Sequence, residues 1–368
     1  MRILITGANG FIARNLSIQL KEMDGIEVLE FSRKNSKEEL VEMCSKADAV
    51  VHLAGINRPL KEEEFAEGNY HLTEEICDAL SSTERKIPII FTSSIQAALD
   101  NPYGTSKLAA ENSIDLYSKT TGSEVFIYRL PNVFGKWCRP NYNSVVATFC
   151  NNIALNLPIE INDPNYEINL VYIDDVVNDF ISILLGQKKS CALDDVTTYS
   201  ITLGELAEQI MGFRNSRELL TIGHVGLGLV RALYATYLSY LKPEMFTYDL
   251  TTYKDERGVF GEMLKTKDSG QFSFFTSKPG VTRGEHYHHT KNEKFLVISG
   301  KARFRFRNIL TNEEYSVDTG SEKPQVVETV PGWAHDITNI GDEEMMVMLW
   351  ANEIFDRDNS DTYPYRIQ

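Results

Sequence analysis

The apolar positions along the chain fall into two rhythms. Residues 2–7 (Arg-Ile-Leu-Ile-Thr-Gly) form a short apolar run that stops at glycine, and behind it Phe11, Ile12, Leu16 and Leu20 recur at helical spacing. The exchange repeats downstream. Short runs predict strands over 27–31, 47–53, 87–92 and 124–129, and helical periods predict helices over 37–44, 62–80 and 107–120. Strands alternating with helices every ~25–30 residues imply βαβ units, hence a doubly wound, Rossmann-type α/β fold with a parallel sheet covered on both faces. From about Phe149 the pattern predicts helices, including 174–185, 203–211 and 226–241, the last stopped by Lys242-Pro243. Beyond that proline the period shortens to evenly spaced strands at 271–276, 293–298, 302–307, 314–318, 326–330 and 345–350, the signature of an all-β barrel or sandwich. The chain therefore divides into an α/β domain over 1–245 and an all-β domain over 246–368.

Composition narrows the function. A length of 368 residues suits two domains, each long enough to bury its own core. A net charge of −15 excludes a nucleic-acid backbone or an anionic membrane as the main partner, while a local basic cluster can still meet a phosphorylated substrate. No apolar stretch approaches the ~18 residues needed to span a bilayer, and the N-terminus does not read as a signal peptide. Five cysteines (Cys44, Cys77, Cys138, Cys150, Cys191) without CxxC spacing suit reduced thiols in a cytoplasmic protein.

The first βα junction carries Thr6-Gly7-Ala8-Asn9-Gly10-Phe11-Ile12-Ala13, a GxxGxxA loop. Gly7 permits the tight turn, and Gly10 lets the backbone approach a pyrophosphate at the helix N-terminus. After the second strand stands Arg33, where an acidic residue would bind a ribose 2′-hydroxyl. An arginine there pairs with a 2′-phosphate, which favours NADPH. The loop, His52-Leu53-Ala54-Gly55, Tyr103-Gly-Thr-Ser-Lys107, Arg129-Leu-Pro-Asn132-Val-Phe-Gly135 and Val171-Tyr-Ile-Asp-Asp175 occur in an order that resembles the extended short-chain dehydrogenase/reductases over roughly residues 1–240. Tyr103 and Lys107 lie i, i+4 on one helix face, and the ammonium is expected to lower the phenol pKa, so that Tyr103 passes a proton while hydride moves from the nicotinamide. The resemblance implies that Ser94 steadies the reacting oxygen. It also implies that Gly7, Asn9, Gly10, Phe11, Ile12, Arg33, Leu53, Ala54, Gly55, Tyr103 and Lys107 contact the cofactor, and that Asn132 and Asn143 contact the substrate. Ser94 and Tyr103 are nine residues apart, closer than in many relatives, which widens the site.

A second pattern, Gx5HxHx4Ex6G, runs from Gly280 to Gly300, and Pro331-Gly-Trp-Ala-His335 follows it. Residues i and i+2 of a strand share a face, so His286 and His288 point the same way. With Glu293 and His335 they form a set suited to Zn, Fe, Mn or Ni, zinc first, while His289 points away. Both patterns are similar to the cupin motifs, which implies a cupin barrel over 246–368. Arg283-Gly-Glu-His286 and Gly332-Trp-Ala-His335 also resemble sugar-nucleotide 3,5-epimerases, whose cupin is metal-free and uses a histidine base.

A reductase joined to a proton-abstracting site suits a nucleotide-linked 4-keto-6-deoxy sugar. The whole chain resembles a family of bacterial capsular-polysaccharide-synthesising enzymes. That resemblance implies epimerisation of a UDP-4-keto-6-deoxy-N-acetylhexosamine at C3 and NADPH reduction at C4, giving UDP-N-acetyl-6-deoxy-L-talosamine, in a homodimer formed through the cupin. The alternative is an NAD(P)-dependent nucleotide-sugar 4-epimerase or dehydratase with a structural or dimerising cupin. Ile95-Gln96 is a poor match to the acidic pair that a dehydratase carries beside its serine, and Arg33 speaks against NAD.

Overall fold

The computed structural model describes residues 1–59, 61–190, 196–358 and 360–367. Its chain forms two compact units, residues 1–210 with 227–241 and residues 211–226 with 242–368.

The first unit opens with β1 (Arg2–Thr6), α1 (Phe11–Lys21), β2 (Glu27–Phe31), α2 (Lys37–Lys46), β3 (Ala49–His52), α3 (Glu63–Phe65), α4 (Leu72–Ser81), β4 (Ile89–Ser94), α5 (Pro102–Thr121) and β5 (Val125–Leu130). The five strands form one parallel sheet in the order β2-β1-β3-β4-β5. β3 is buried along its whole length, as expected of a strand covered on both faces. Leu4, Val50, Ile89 and Phe91 of the sheet pack with Leu40 and Cys44 of α2, Ile76 and Leu80 of α4, and Ala110 and Ile114 of α5. The order reverses between β1 and β3, so a crevice opens beyond their carboxyl ends, where such sheets bind ligands.

The helix expected over 62–80 is interrupted by one π-helical turn, Ala66–His71. Asn69 lies inside that turn at 1% exposure, with its side chain bonded to the Ile56 backbone and to Ser106 Oγ. After β5 the structure departs further from the expected run of helices. β6 (Asn132–Phe134) and β7 (Glu167–Tyr172) pair in parallel, and β8 (Thr198–Thr202) adds antiparallel to β7. Between and beyond them run α6 (Val145–Ala154), α7 (Ile173–Leu184), α8 (Leu203–Leu219) and α9 (Gly228–Leu238). The Glu-Ile-Asn-Leu stretch of β7 alternates exposed and buried side chains, a strand period. Cys44, Cys77, Cys138 and Cys150 are free thiols, and Cys191 lies outside the described residues.

The second unit begins with β9 (Thr221–Ile222), which adds in parallel to a later strand. The others are β10 (Thr252–Asp255), β11 (Gly258–Thr266), β12 (Gly270–Ser277), β13 (Thr282–Tyr287), β14 (Glu293–Ser299), β15 (Lys301–Asn308), β16 (Glu314–Gly320), β17 (Val326–Glu328), β18 (Trp333–Asn339), β19 (Met345–Ala351) and β20 (Tyr363–Pro364). One sheet runs β10-β11-β12-β19-β14-β17 with β9 on β11, and the other runs β16-β15-β18-β13-β20. Among the described residues no ladder closes the two into a single barrel. Phe275, Phe295, Val327 and Val347 from the first sheet meet Phe304, Phe306 and Ile337 from the second in one core, the arrangement of two packed β layers.

Phe304 is 1% exposed at the centre of that core. Phe304→Ala is expected to cost about 3–5 kcal/mol and to lower the denaturant midpoint reported by Trp333 and Trp350 fluorescence.

Candidate active site and metal centre

The first helix begins with its amides free. Gly10 is the N-cap of α1 and provides no side-chain cap, whereas Ser36, Asn101 and Ser144 cap α2, α5 and α6. Unsatisfied first-turn N–H groups with the positive end of the helix dipole suit a phosphate. Gly7 has a φ of +69°, and a Cβ there would lie 2.7 Å from the Ala54 nitrogen. The loop therefore sits directly on the end of β3, and any side chain would separate them. His52 secures this junction: its ring bonds Thr6 Oγ1 at 2.7 Å and Thr73 Oγ1 at 2.9 Å. Burial, helped by the Lys107 charge, pushes its pKa down to about 3, so it is a neutral brace.

Around this loop lies a cleft of about 770 Å³ lined by Gly7, Asn9, Gly10, Arg33, Leu53, Ala54 and Gly55, together with Ser32, Asn35 and Lys37. A second cleft, of about 520 Å³, shares Gly10, Leu53, Gly55 and Ile56 with the first. It is lined by Phe11, Ile12, Ser94, Tyr103, Lys107, Asn132 and Asn143. Every residue expected to serve cofactor, catalysis or substrate in this unit thus borders one of two adjoining spaces.

Helix α5 starts five residues earlier than the periodicity suggests. Asn101 accepts a bond from the Gly104 N–H at 2.8 Å and Pro102 presets the first turn, so Tyr103 is already helical. Gly104 allows this start to press on the 3₁₀ turn Ile95–Ala98, because a Cβ there would fall 2.2 Å from the Gln96 carbonyl oxygen. Ser94, the last residue of β4, brings its hydroxyl close enough to the Tyr103 phenol to favour the phenolate. Lys107 Nζ donates to the Thr92 carbonyl at 2.8 Å and lies over the Phe91 ring. Burial pushes the Lys107 pKa down to about 8, against the pull of Glu111. Burial also raises the Tyr103 phenol, partly offset by Ser94. The expected lowering of that phenol by the Lys107 ammonium is not seen. Desolvation outweighs the other influences on the phenol.

The sequence reading passed over Arg58, Arg139 and Tyr142. Both guanidiniums stand over the Tyr142 ring, at 5.7 Å and 5.1 Å, and the Tyr142 hydroxyl donates to Asn57. Among the described residues neither arginine has a carboxylate within ion-pairing distance. Arg139, Tyr142 and Asn57 line the second cleft. No motif marks these positions; only the fold brings residues 57–58 beside 139–142.

In the second unit, β13 and β18 pair with His286 opposite His335. A bulge at Gly284–His286, with Gly284 at φ +95° and Glu285 at φ +59°, bends β13 there. The rings of His286, His288 and His335 have centroids 4.6–5.2 Å apart, and Glu293 enters from the opposing sheet. One donor atom from each of the four residues lies within 4.8 Å of every other. Glu293 Oε2 is 3.3 Å from His288 Nε2 and 3.5 Å from His335 Nε2. Both ring nitrogens of His335 are buried without a hydrogen-bond partner, a costly state for polar atoms that an ion would relieve. Burial, then the neighbouring His335, pushes the His286 pKa down to about 4. Although burial pushes the Glu293 carboxyl up, His288, His335 and Lys291 hold it well below the usual range. Neutral imidazoles and an ionised carboxylate are the donor forms a transition metal requires.

Residues 3–190 match the family described as the NAD dependent epimerase/dehydratase family, and residues 253–363 match the polysaccharide biosynthesis C-terminal domain. A UDP-2-acetamido-2,6-beta-L-arabino-hexul-4-ose reductase of Pseudomonas aeruginosa is 57% identical over 99% of this chain and 98% of its own. The crystal structure of the capsular polysaccharide assembling protein CapF from Staphylococcus aureus matches with a TM-score of 0.92 and 42% identity over the whole of both chains. A UDP-glucuronic acid 4-epimerase of Bacillus cereus in complex with NAD shares the fold at 17% identity and a TM-score of 0.55, over 65% of this chain and 98% of its own. Among the described residues no helix is long and apolar enough to cross a membrane.

Because the Lys107 ammonium is retained below about pH 8 and lost above it, any turnover that needs its charge is expected to decline as pH rises through that value. A pH–rate profile checks this; a rate level to pH 9.5 contradicts it.

Proposed function

The chain belongs to the NAD dependent epimerase/dehydratase family, and on that premise we propose that it is a bifunctional nucleotide-sugar enzyme. It epimerises a UDP-4-keto-6-deoxy-N-acetylhexosamine at C3 and reduces the C4 ketone with NADPH, supplying UDP-N-acetyl-6-deoxy-L-talosamine for capsular polysaccharide. The observation that carries the reading is Tyr103, beside Ser94 and one turn from Lys107, bordering a cleft that adjoins the one around the nucleotide loop. The Pseudomonas relative, whose name is that of a 4-ketone reductase of a UDP-acetamido sugar, supports the substrate class.

The residues fit the dinucleotide. Gly7 and Gly10 leave room for its diphosphate, the open amides of α1 supply donors, and Arg33 and Lys37 border the same cleft for a 2′-phosphate. Bound NADPH supplies hydride to C4. Tyr103 then gives its phenolic proton to the C4 oxygen, and Ser94 holds that oxygen in line. The ammonium of Lys107 stabilises the phenolate left behind. Because burial disfavours charge on both groups, their neighbourhood is water-poor, which strengthens the hydrogen bonds that orient the ketone. Asn132 and Asn143 border the sugar end of the cleft. Arg58 and Arg139, two cations about one ring with no carboxylate partner among the described residues, suit the UDP diphosphate.

In the second unit His286, His288, Glu293 and His335 would hold a transition-metal ion, and the buried, unpartnered nitrogens of His335 fit it. Such an ion would polarise a ketone and so acidify the proton at the neighbouring carbon. The two facing β sheets and their motif spacing support reading this unit as a cupin, acting as the epimerase and as the contact of a homodimer in the cytoplasm. A second reading keeps the cluster metal-free with His286 as base, resting on the likeness of Arg283-Gly-Glu-His286 to the sugar-nucleotide 3,5-epimerases. Elemental analysis of the unmodified protein separates the two.

Tyr103→Phe is expected to lower NADPH-dependent reduction by about two orders of magnitude or more while exchange of the C3 proton with deuterated solvent continues. Loss of both together contradicts two separate sites. Arg33→Asp is expected to reduce or reverse a roughly tenfold preference for NADPH over NADH, measured by fluorescence titration; equal affinities in the unmodified protein remove the cofactor assignment.

A further inference from the structure

His288 is held from behind by the C-terminal segment. Its Nδ1 bonds the main-chain carbonyl of Asp361. A carbonyl only accepts, so Nδ1 carries a hydrogen, and Nε2 is the nitrogen that faces Glu293. The Asp361 carboxylate meanwhile gathers the turn that joins His288 to Glu293. One oxygen accepts the His289 N–H at 2.9 Å, and the other accepts the Thr290 and Lys291 N–H groups at 2.7 and 2.8 Å and the Thr290 hydroxyl at 2.9 Å. The segment is itself anchored. Pro364 and Tyr363 pair with His286 and Tyr287, Tyr363 stacks on Tyr287, the Tyr365 N–H donates to the Glu285 carbonyl, and Ile367 is buried.

We propose that Asp361 is a positioning residue for the four-ligand centre, a C-terminal clamp whose carbonyl sets the His288 tautomer and whose carboxylate fixes the ligand turn. The inference rests on the metal reading of His286, His288, Glu293 and His335. The clamp commits Nε2 to ligation before any ion arrives. His288 Nε2 and a Glu293 oxygen already face each other at 3.3 Å. A partner that orients a ligating imidazole through its other nitrogen raises its basicity and lowers the ordering cost of binding. Asp361 lies 68 residues past Glu293 in an unremarkable polar tail (361 − 293 = 68), so motif spacing gives no hint of it.

The test uses the full-length protein with Asp361→Ala and the conservative Asp361→Asn, loaded with Zn(II). Release of zinc to a competing chelator is expected to be about tenfold or more faster in Asp361→Ala, with Asp361→Asn between it and the unmodified protein. In metal-free protein, two-bond ¹H–¹⁵N spectra are expected to show His288 protonated at Nδ1, and that preference weakened in Asp361→Ala, which keeps the carbonyl but loses the carboxylate contacts that hold it in place. An unchanged denaturant midpoint by Trp333 and Trp350 fluorescence verifies that the second unit of each variant is folded. Unmodified protein that takes up no zinc overturns the metal reading, while the tautomer spectra still decide the clamp. Asp361→Ala that keeps both the zinc release rate and the Nδ1–H tautomer overturns the clamp.

Discussion

The bond from Lys107 Nζ to the Thr92 carbonyl ties α5 to the carboxyl end of β4, and the geometry of the first unit's site depends on it. A lysine at 5% exposure is costly to desolvate. The cost is met by one backbone acceptor, one aromatic face and the nearby carboxylate of Glu111, which is fixed in turn by Ser93 and a bidentate contact to Arg129. Around this point the loop after β1, the end of β3, the π turn carrying Asn69 and the start of α5 are all pressed to backbone contact. A Cβ at Gly55 would meet Asn69 and Lys107, and one at Gly104 would meet Gln96. The reactive phenol is placed by the strands' ends and by the absence of side chains where they converge.

The second unit solves a different problem. Its hydrophobic core can be filled by aromatic residues from two sheets, but four mostly buried polar groups must also be brought within contact of one another. Burying three imidazoles around a carboxylate lowers stability unless charge or an ion compensates. The bulge in β13 and the two left-handed residues within it show that backbone regularity is given up to aim these rings.

How much of this could be read from the chain follows the distance over which each signal acts. The Rossmann strands, the Gly7–Gly10 loop, Tyr103–Lys107 and the HxH pair are short-range patterns, and the structure gathers each set around a common space. The β6-β7-β8 sheet was missed because β6 has three residues and β7 lies among helices, so local periodicity was diluted. The π turn is invisible to a 3.6-residue period. Arg58 and Arg139, 81 positions apart (139 − 58 = 81), share Tyr142 only through tertiary contact. The direction of the Tyr103 shift is hidden for a similar reason: spacing shows that a lysine is near, but not how deeply the phenol is buried.

The strand β9 has a consequence for how such a chain could be assembled by recombination. Residues 211–226 belong with the C-terminal strands, yet 227–241 return to the N-terminal unit before the chain leaves it for good. The two units are therefore interleaved in sequence. A crossover placed at the proline near 243 would hand a new partner the all-β half without the strand that edges β11, and would leave the donor with an unpaired strand. Swapping either half intact needs two breakpoints, which makes the pair harder for evolution to separate than two beads on a linker.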